Sequence, residues 1–465
     1  MHDIATKLEI NGYIVMGTIW KPTLDHYAGA KYQRLVSAIQ DAIADSTLAP
    51  NAKLPPQRRL ADMLGVTVGT VTRAYALAEQ RGLVEARVGD GTYVKYSDPI
   101  DLSQSNLNMA TCQQPLTDQV ARLSDSLQSL AKEPAKLAAL LGYHGVPLSH
   151  QQQIFSQWLN RRGIAAKAEH LLFTHGAQQG IFSTLNALLT AQDTLFHEAY
   201  SYPGIRIAAN QLGITAVGVP LTEEGLDLEA LERLAQIHQP KLIYLTLNNQ
   251  NPTCIQYTDS QRSKILDLAK QYNFWIVEDD VNYCLPEEWH APLWSHPDND
   301  GRVIYISSLS KLFSGGLRQG FMLIPSPLMT QITQALHSQC WMVSPLNVEL
   351  ACQLISNGEL VGERETLIRQ RQALCIAMGE RLGLKQCWRG LNGWLQLKPS
   401  VKAHHAVTAL AVKGILVRNG DDFDNKENYI RLSIGGIANE SQFMCALEEI
   451  EHSLMALSQH AYSVV

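Results

Sequence analysis

In the stretch S-S-L-S-K-L-F-S-G-G-L-R-Q-G, residues 307–320, a lysine follows an apolar run, sits among hydroxyls and precedes glycines and an arginine. A lysine amine that gives up its proton can form a covalent imine with an aldehyde, and Lys311 is the candidate. Ser308, Ser310 and Arg318 can bind a phosphate ester, Arg318 through paired charge-assisted hydrogen bonds. Alone, this is a basic loop after a strand. Four other segments add to it. F-T-H-G-A-Q-Q-G (173–180) reads as strand, small-residue turn and helix start, so the main-chain N–H groups of Gly176, Ala177 and Gln178 can face an anion. E-A-Y-S-Y-P-G (198–204) offers an aromatic on which a planar ring can stack. N-N-Q-N-P-T (248–253) ends a strand with a side-chain amide ahead of proline, able to hydrogen-bond a phenolic oxygen. V-E-D-D (277–280) puts carboxylates at a strand end, where one can keep a pyridine nitrogen protonated and the ring electron-withdrawing.

Any one of these has a structural reading: a buried acid after a strand, or a turn glycine, is ordinary. Their order at strand ends is what makes them specific. The elements that must position them are apolar runs at 171–173, 194–197, 214–219, 242–247, 274–277, 303–306 and 321–324, separated in several places by amphipathic stretches such as 228–237 and 260–272. Short, wholly apolar strands imply a largely parallel sheet covered by helices on both faces, an α/β class. From about residue 355 the texture changes to a smaller α+β domain carrying 393–397, 415–418 and 429–434.

The N-terminal part has another texture. L-P-P-Q-R-R-L-A-D-M-L-G-V-T-V-G-T-V-T-R-A-Y (54–75) reads as helix, tight turn, helix. Gly65 fits a left-handed helix end, Thr67 a helix cap, and Val71, Ala74, Tyr75 and Ala78 a buried stripe. Thr70, Thr72 and Arg73 show on the opposite face. Two short strands then flank a Gly89-Asp90-Gly91 tip. Small polar and basic residues on such a second helix reach base edges and phosphates in a major groove. The alternative is a small helical domain for protein contacts.

Composition agrees with a modular cytoplasmic protein. At 465 residues the chain exceeds one compact core. Residues 31–96 carry nine basic and six acidic side chains, +3, leaving −9 on the rest of a chain whose net charge is −6. A small basic module on an acidic body fits DNA binding at one end. No apolar run approaches the ~20 residues that span a bilayer, and Asp3 and Glu9 do not suit a secretion signal. The eight cysteines form no C-x-x-C pair, which favours a reduced setting over disulfides or a metal site.

The segment 54–94 resembles the GntR family of winged helix-turn-helix regulators, through Leu54-Pro55, Arg58, Leu60-Ala61, Leu64-Gly65-Val66, Val71, Ala74-Tyr75, Gly82-Leu83-Val84 and 89–94. The resemblance implies that Arg58, Thr67, Thr70, Arg73 and the wing glycines Gly89 and Gly91 face DNA; Val68 stands where the family often has arginine. Residues 137–450 resemble fold-type I pyridoxal-phosphate enzymes of the aminotransferase class I/II group. That likeness implies pyridoxal 5'-phosphate held by Lys311 as an imine, Asp279 on the pyridine nitrogen, Asn251 on the phenolic oxygen, Tyr202 stacked on the ring, and Gly176, Ala177, Gln178, Ser308, Ser310 and Arg318 around the phosphate. Arg431, in Y-I-R-L-S, matches the arginine that grips a substrate carboxylate. Two positions depart from the pattern: Cys254 replaces a frequent glycine, and Asn282 a frequent tyrosine, with Tyr283 one step on.

The two halves together resemble the MocR subfamily of GntR regulators. This implies a head-to-tail homodimer bound to a double-stranded operator, with an amine, amino acid or B6 vitamer as effector. The expected division is an extension 1–29, a winged helix-turn-helix 30–96, a linker 97–115 and the aminotransferase-like domain 116–465, with a helical segment, 116–141, joining the halves. A genuine aminotransferase with an accessory DNA-binding module, and a regulator that has lost its cofactor, are the competing readings; Lys311, Asp279, Asn251 and Arg318 speak against the last.

Overall fold

The computed structural model describes residues 9–10, 13–14, 20–27, 29–44, 47–48, 52–80, 83–87, 90–94, 107–424 and 427–460. The chain divides into two units, Met1–Ser105 and Asn106–Val465.

In the first unit, helices α1 (Lys31–Ala44), α2 (Gln57–Leu64) and α3 (Val68–Gln80) precede a hairpin of β1 (Val84–Arg87) and β2 (Gly91–Val94). Gly65 closes α2 at φ 62°, a left-handed turn that costs glycine little. Thr67 caps α3, its Oγ1 accepting the Thr70 N–H at 3.3 Å. The stripe Val71, Ala74, Tyr75 and Ala78 is buried with Leu35, Ile39, Leu60, Val84 and Val94, and Tyr75 donates to the Pro55 carbonyl at 2.8 Å. This is a winged helix-turn-helix. Gly89 lies outside the described residues.

The second unit opens with β3 (Leu107–Asn108). Its large sheet comprises β4 (Leu171–His175), β5 (Thr194–Glu198), β6 (Thr215–Val219), β7 (Leu242–Leu245), β8 (Trp275–Asp279), β9 (Val303–Ser308) and β10 (Gln319–Leu323). The strand order is β4-β10-β9-β8-β7-β5-β6. Each apolar run read from the sequence forms one of these strands. Alternate residues serve opposite faces: Leu242 and Tyr244 pack in one core with Val277 and Ile304, whereas Ile243 and Leu245 pack in another with Ile276 and Val303. That two-sided burial is why the strands are apolar throughout. β10 alone runs antiparallel, to both β9 and β4. The sequence reading of a largely parallel sheet is thereby refined to a mixed one. The connection 309–318 is too short for the crossover of a dozen or more residues that a parallel partner requires.

The small domain is a four-stranded antiparallel sheet with helices Arg364–Leu382, Ala403–Val412 and Glu440–His460 around it. Its strands are β11 (Lys385–Arg389), β12 (Asn392–Gln396), β14 (Arg418–Asn419) and β15 (Tyr429–Ser433), with β13 (Ile415–Leu416) beside them.

Two expected connectors belong to this unit. Residues 107–115, read as linker, pack on the small domain: β3 pairs with β13 in parallel, and Met109 is fully buried. Leu107 and Met109 are the apolar contacts that the polar texture of 97–115 concealed. The segment 116–141, expected to be helical and to join the halves, forms helices Gln119–Ala131 and Pro134–Leu140 and packs within this unit, Leu130 and Leu140 on Leu350. Among the described residues no helix is long and apolar enough to cross a membrane, and no cluster of ligating side chains could hold a metal.

Candidate functional site

At the C-terminal ends of β4, β5, β7, β8 and β9 the sheet opens into a cavity of ≈ 680 Å³. Such crevices are where open α/β sheets bind ligands. Ala177, Gln178, Tyr202, Asn251, Asp279, Ser308, Ser310, Lys311, Arg318 and Arg431, separated widely in sequence, all line it. Gly176, the remaining expected residue, is not among them but lies against Arg318.

Lys311 stands one turn beyond β9. The turn is fixed by Ser308, whose Oγ accepts the Ser310 N–H at 3.1 Å, donates to the Gln319 carbonyl at 2.9 Å and lies 2.8 Å from Ser310 Oγ. The Lys311 Nζ donates to the main-chain carbonyl of Cys112. Asp279 ends β8. Its Oδ2 accepts the Tyr244 hydroxyl at 2.6 Å, while Oδ1, also buried, accepts no hydrogen bond among the described residues. Burial pushes the Asp279 carboxyl up to about 7, against the opposing Tyr244 hydrogen bond.

Asn251 and Arg431 meet, Arg431 Nη1 donating to Asn251 Oδ1 at 2.9 Å. Arg431 is 5% exposed; Nη2 donates to the Ala110 carbonyl, and Nε has no partner among the described residues. Burial lowers its pKa. The β14–β15 register places Arg418 beside Arg431.

Close main-chain approach builds the cavity wall. Gly176 caps helix α4 (Ala177–Leu188) at φ 77°, and a Cβ there would lie 2.2 Å from Arg318 Nη2. Arg318 Nη2 donates to the His175 carbonyl at 3.2 Å, so its guanidinium sits at the helix start. A Cβ on Gly320 would lie 2.6 Å from the Gly176 carbonyl carbon. Tyr202 caps helix α5 (Pro203–Leu212); a Cβ on Gly204 would come within 2.2 Å of its ring. Gln178 Nε2 donates to the Gly204 carbonyl at 3.0 Å, tying the two helix starts together. Behind them Glu198, buried and pushed up to about 7 by burial, accepts from Thr246, Gln250 and Tyr257. Gln250 also donates to the Tyr200 carbonyl at 2.7 Å, which fixes the loops carrying Tyr202 and Asn251.

Of the two departures, Cys254 adopts φ 61°, a left-handed conformation that favours glycine. Its side chain is buried against Trp394 and Phe423. Asn282 lines the cavity but donates to the Asn249 carbonyl at 2.9 Å. Tyr283 is buried in the hydrophobic core. A second phenol at the site, besides Tyr202, is Tyr244, which sequence reasoning missed because a tyrosine inside an apolar strand reads as one more core residue. Ala110–Gln113, Arg418 and Asp422 also line the cavity; nothing in their local sequence pointed there.

In the first unit Arg58, Thr67, Arg73 and Gly91 are exposed, and Thr70 half-buried. Thr67 and Thr70 hydroxyls lie 2.9 Å apart. The Arg73 guanidinium stacks on the Tyr32 ring at 4.2 Å. Val68 is exposed at the start of α3. Gly91, at φ 140°, admits the Lys53 stem, whose Nζ pairs with Asp90 at 2.7 Å.

Residues 97–446 match the family "Aminotransferase class I and II", and residues 31–94 match "Bacterial regulatory proteins, gntR family". The HTH-type transcriptional regulator YdeF of Bacillus subtilis, itself uncharacterized, is 28% identical over 97% of this chain and 98% of its own length. The HTH-type transcriptional regulator TauR of Rhodobacter capsulatus is 26% identical over 88% of this chain and 93% of its own. The solved structure of LysN, the alpha-aminoadipate aminotransferase of Thermus thermophilus, superposes with a TM-score of 0.68 at 22% identity, over 76% of this chain and 92% of that one. The chain belongs to the aminotransferase class I and II family, and it joins that fold to a gntR-family regulatory domain as the MocR subfamily of GntR regulators does.

Proposed function

We propose that this protein is a pyridoxal-phosphate-dependent, DNA-binding transcription regulator whose larger unit senses an amine, an amino acid or a B6 vitamer. The observation that carries the cofactor half is Asp279: a buried carboxyl with one oxygen lacking a donor among the described residues, in the cavity that also holds Lys311. A protonated ring nitrogen supplies that donor. The rest of the site fits the same group. Lys311 would hold it covalently, Tyr202 would stack on it, and Asn251 would meet its phenolic oxygen. Arg318, Ser308, Ser310 and the α4 start at Gly176, Ala177 and Gln178 would hold its phosphate. When bound, the cofactor supplies an aldehyde that captures amines and a ring that withdraws electrons. Arg431, buried and basic, would take an effector carboxylate.

For the DNA half, Arg58 and Arg73 would contact phosphates, Thr67 and Thr70 base edges, and the Gly89–Gly91 wing the neighbouring groove. A head-to-tail homodimer in the cytoplasm, with one recognition helix per half-site, completes the reading. TauR and YdeF, named as HTH-type regulators, support it over most of their length.

Arg431 also favours a second reading, a genuine aminotransferase with an accessory DNA-binding module. The test is to reconstitute the full chain with pyridoxal phosphate, titrate amines and amino acids while following visible absorbance, and measure operator binding in parallel. The regulator reading expects an absorbance change that alters DNA affinity. Sustained turnover with a keto acid, without DNA affinity, replaces it with the enzyme.

A further inference from the structure

Residues 107–115 straddle both parts of the larger unit. On the small-domain side the Leu107 N–H bonds the Gly414 carbonyl at 2.7 Å, the Met109 N–H bonds the Leu416 carbonyl at 2.9 Å, and the Met109 carbonyl accepts from Ser433 at 2.7 Å. The fit leaves no room for side chains: a Cβ on Gly435 would lie 1.7 Å from the Gln113 carbonyl oxygen, and one on Gly436 1.9 Å from that of Asn108. On the other side Gln114 Nε2 donates to the Lys311 carbonyl at 2.8 Å, and Gln119 Nε2 to that of Phe313 at 3.3 Å. Between these anchors two carbonyls enter the cavity. That of Cys112 takes the Lys311 ammonium, and that of Ala110 takes Arg431 Nη2.

Lys311, assigned to the cofactor, and Arg431, assigned to an effector carboxylate, are thus engaged by one piece of main chain. Arg431 is half-engaged: Nε and Nη2 share one edge of the planar guanidinium, Nη2 is on Ala110, and Nε has no partner among the described residues. A carboxylate satisfies both N–H groups at once, in a two-point, charge-assisted geometry that a single neutral carbonyl cannot match.

We propose that Ala110–Gln113 is an internal competitor for the effector site: an effector carboxylate takes the Arg431 edge from the Ala110 carbonyl and frees this strap. The strap directly follows, in sequence, the stretch that leads from the DNA-reading unit, so occupancy of the cavity changes the tether of that unit. This rests on the sensing function proposed above and names its trigger, an amine that also carries a carboxylate. An amine lacking the carboxylate loads Lys311's position and leaves Ala110 in place.

The experiment uses amide hydrogen exchange across 107–115 in the full-length holo-protein with two probes, aminooxyacetate and methoxyamine. With each, a carbon–nitrogen double bond forms between the cofactor's aldehyde carbon and the oxyamine, the bond to Lys311 breaks, and Lys311 leaves as the free amine. Only aminooxyacetate has a carboxylate. It is expected to speed exchange at 107–111 by about 10-fold, the scale of one lost charged hydrogen bond, while methoxyamine leaves it unchanged. Equal exchange with the two probes, or no change with either, overturns the proposal. Arg431→Gln in the cofactor-free chain is expected to give the same rise with no ligand, and unaltered exchange there overturns it too. That arm needs no cofactor, so its outcome is separate from failure of the cofactor reading, which shows as a colourless wild-type protein.

Discussion

Asp279, Glu198 and Glu278 are each raised to about 7 by burial, from ordinary values of 3.8 for the aspartate and 4.5 for the glutamates. A carboxyl raised on folding contributes its full stability below its unfolded value and loses it as pH climbs through the folded one. These three carboxyls should therefore withdraw their contribution from the cofactor-free protein between about pH 4 and about pH 7. Asp279→Asn should make that fall shallower, as thermal unfolding across this range will record. The same change should weaken cofactor binding roughly 10- to 100-fold, the worth of a hydrogen bond to a charged group; unchanged affinity would separate Asp279 from the ring nitrogen. At this scale the sequence exposed Lys311, Asp279 and Asn251, because each sits in a motif whose residue types are unusual for their element, while Arg431 came from the family resemblance alone. It did not expose Tyr244, whose phenol reads as one more apolar strand residue, nor the Ala110 and Cys112 carbonyls, since a main-chain acceptor leaves no mark in residue type.

At the scale of elements, the site depends on three places where a strand or helix end passes too close for a side chain. Gly204→Ala forces a methyl into the Tyr202 ring, and overpacking of this kind costs about 1–3 kcal/mol. The unfolding temperature should fall by a few degrees and cofactor affinity should drop about 10-fold, by calorimetry and absorbance titration; full affinity would show that Tyr202 can stack elsewhere. In the first unit Thr67→Ala removes the α3 cap and should cost about 1 kcal/mol of stability, measured by thermal unfolding. The apolar runs gave up all the strands of the large sheet, because burial on two faces writes itself into every residue. The direction of β10 was not legible from its own residues. It follows from the length of the connection before it. Residues 107–115 were read as linker because two apolar side chains in a polar stretch do not make a period.

For the whole molecule, the charge division of +3 over residues 31–96 against −9 elsewhere favours DNA affinity in the N-terminal unit. Arg58→Ala should weaken operator binding and reduce the salt dependence by about one ion, read from mobility shifts over a salt series; an unchanged slope removes Arg58 from the interface. The pairing of the two units was legible because each carries its own motif set. The reading turns on Lys311 holding a B6 aldehyde in a protein that reads DNA. Incubating the full chain with pyridoxal phosphate, reducing with borohydride and mapping the label by mass checks this bond itself. The label is expected on Lys311, within the peptide 307–320, with loss of visible absorption in Lys311→Ala. A colourless wild-type protein, or a label on a different lysine, would contradict it.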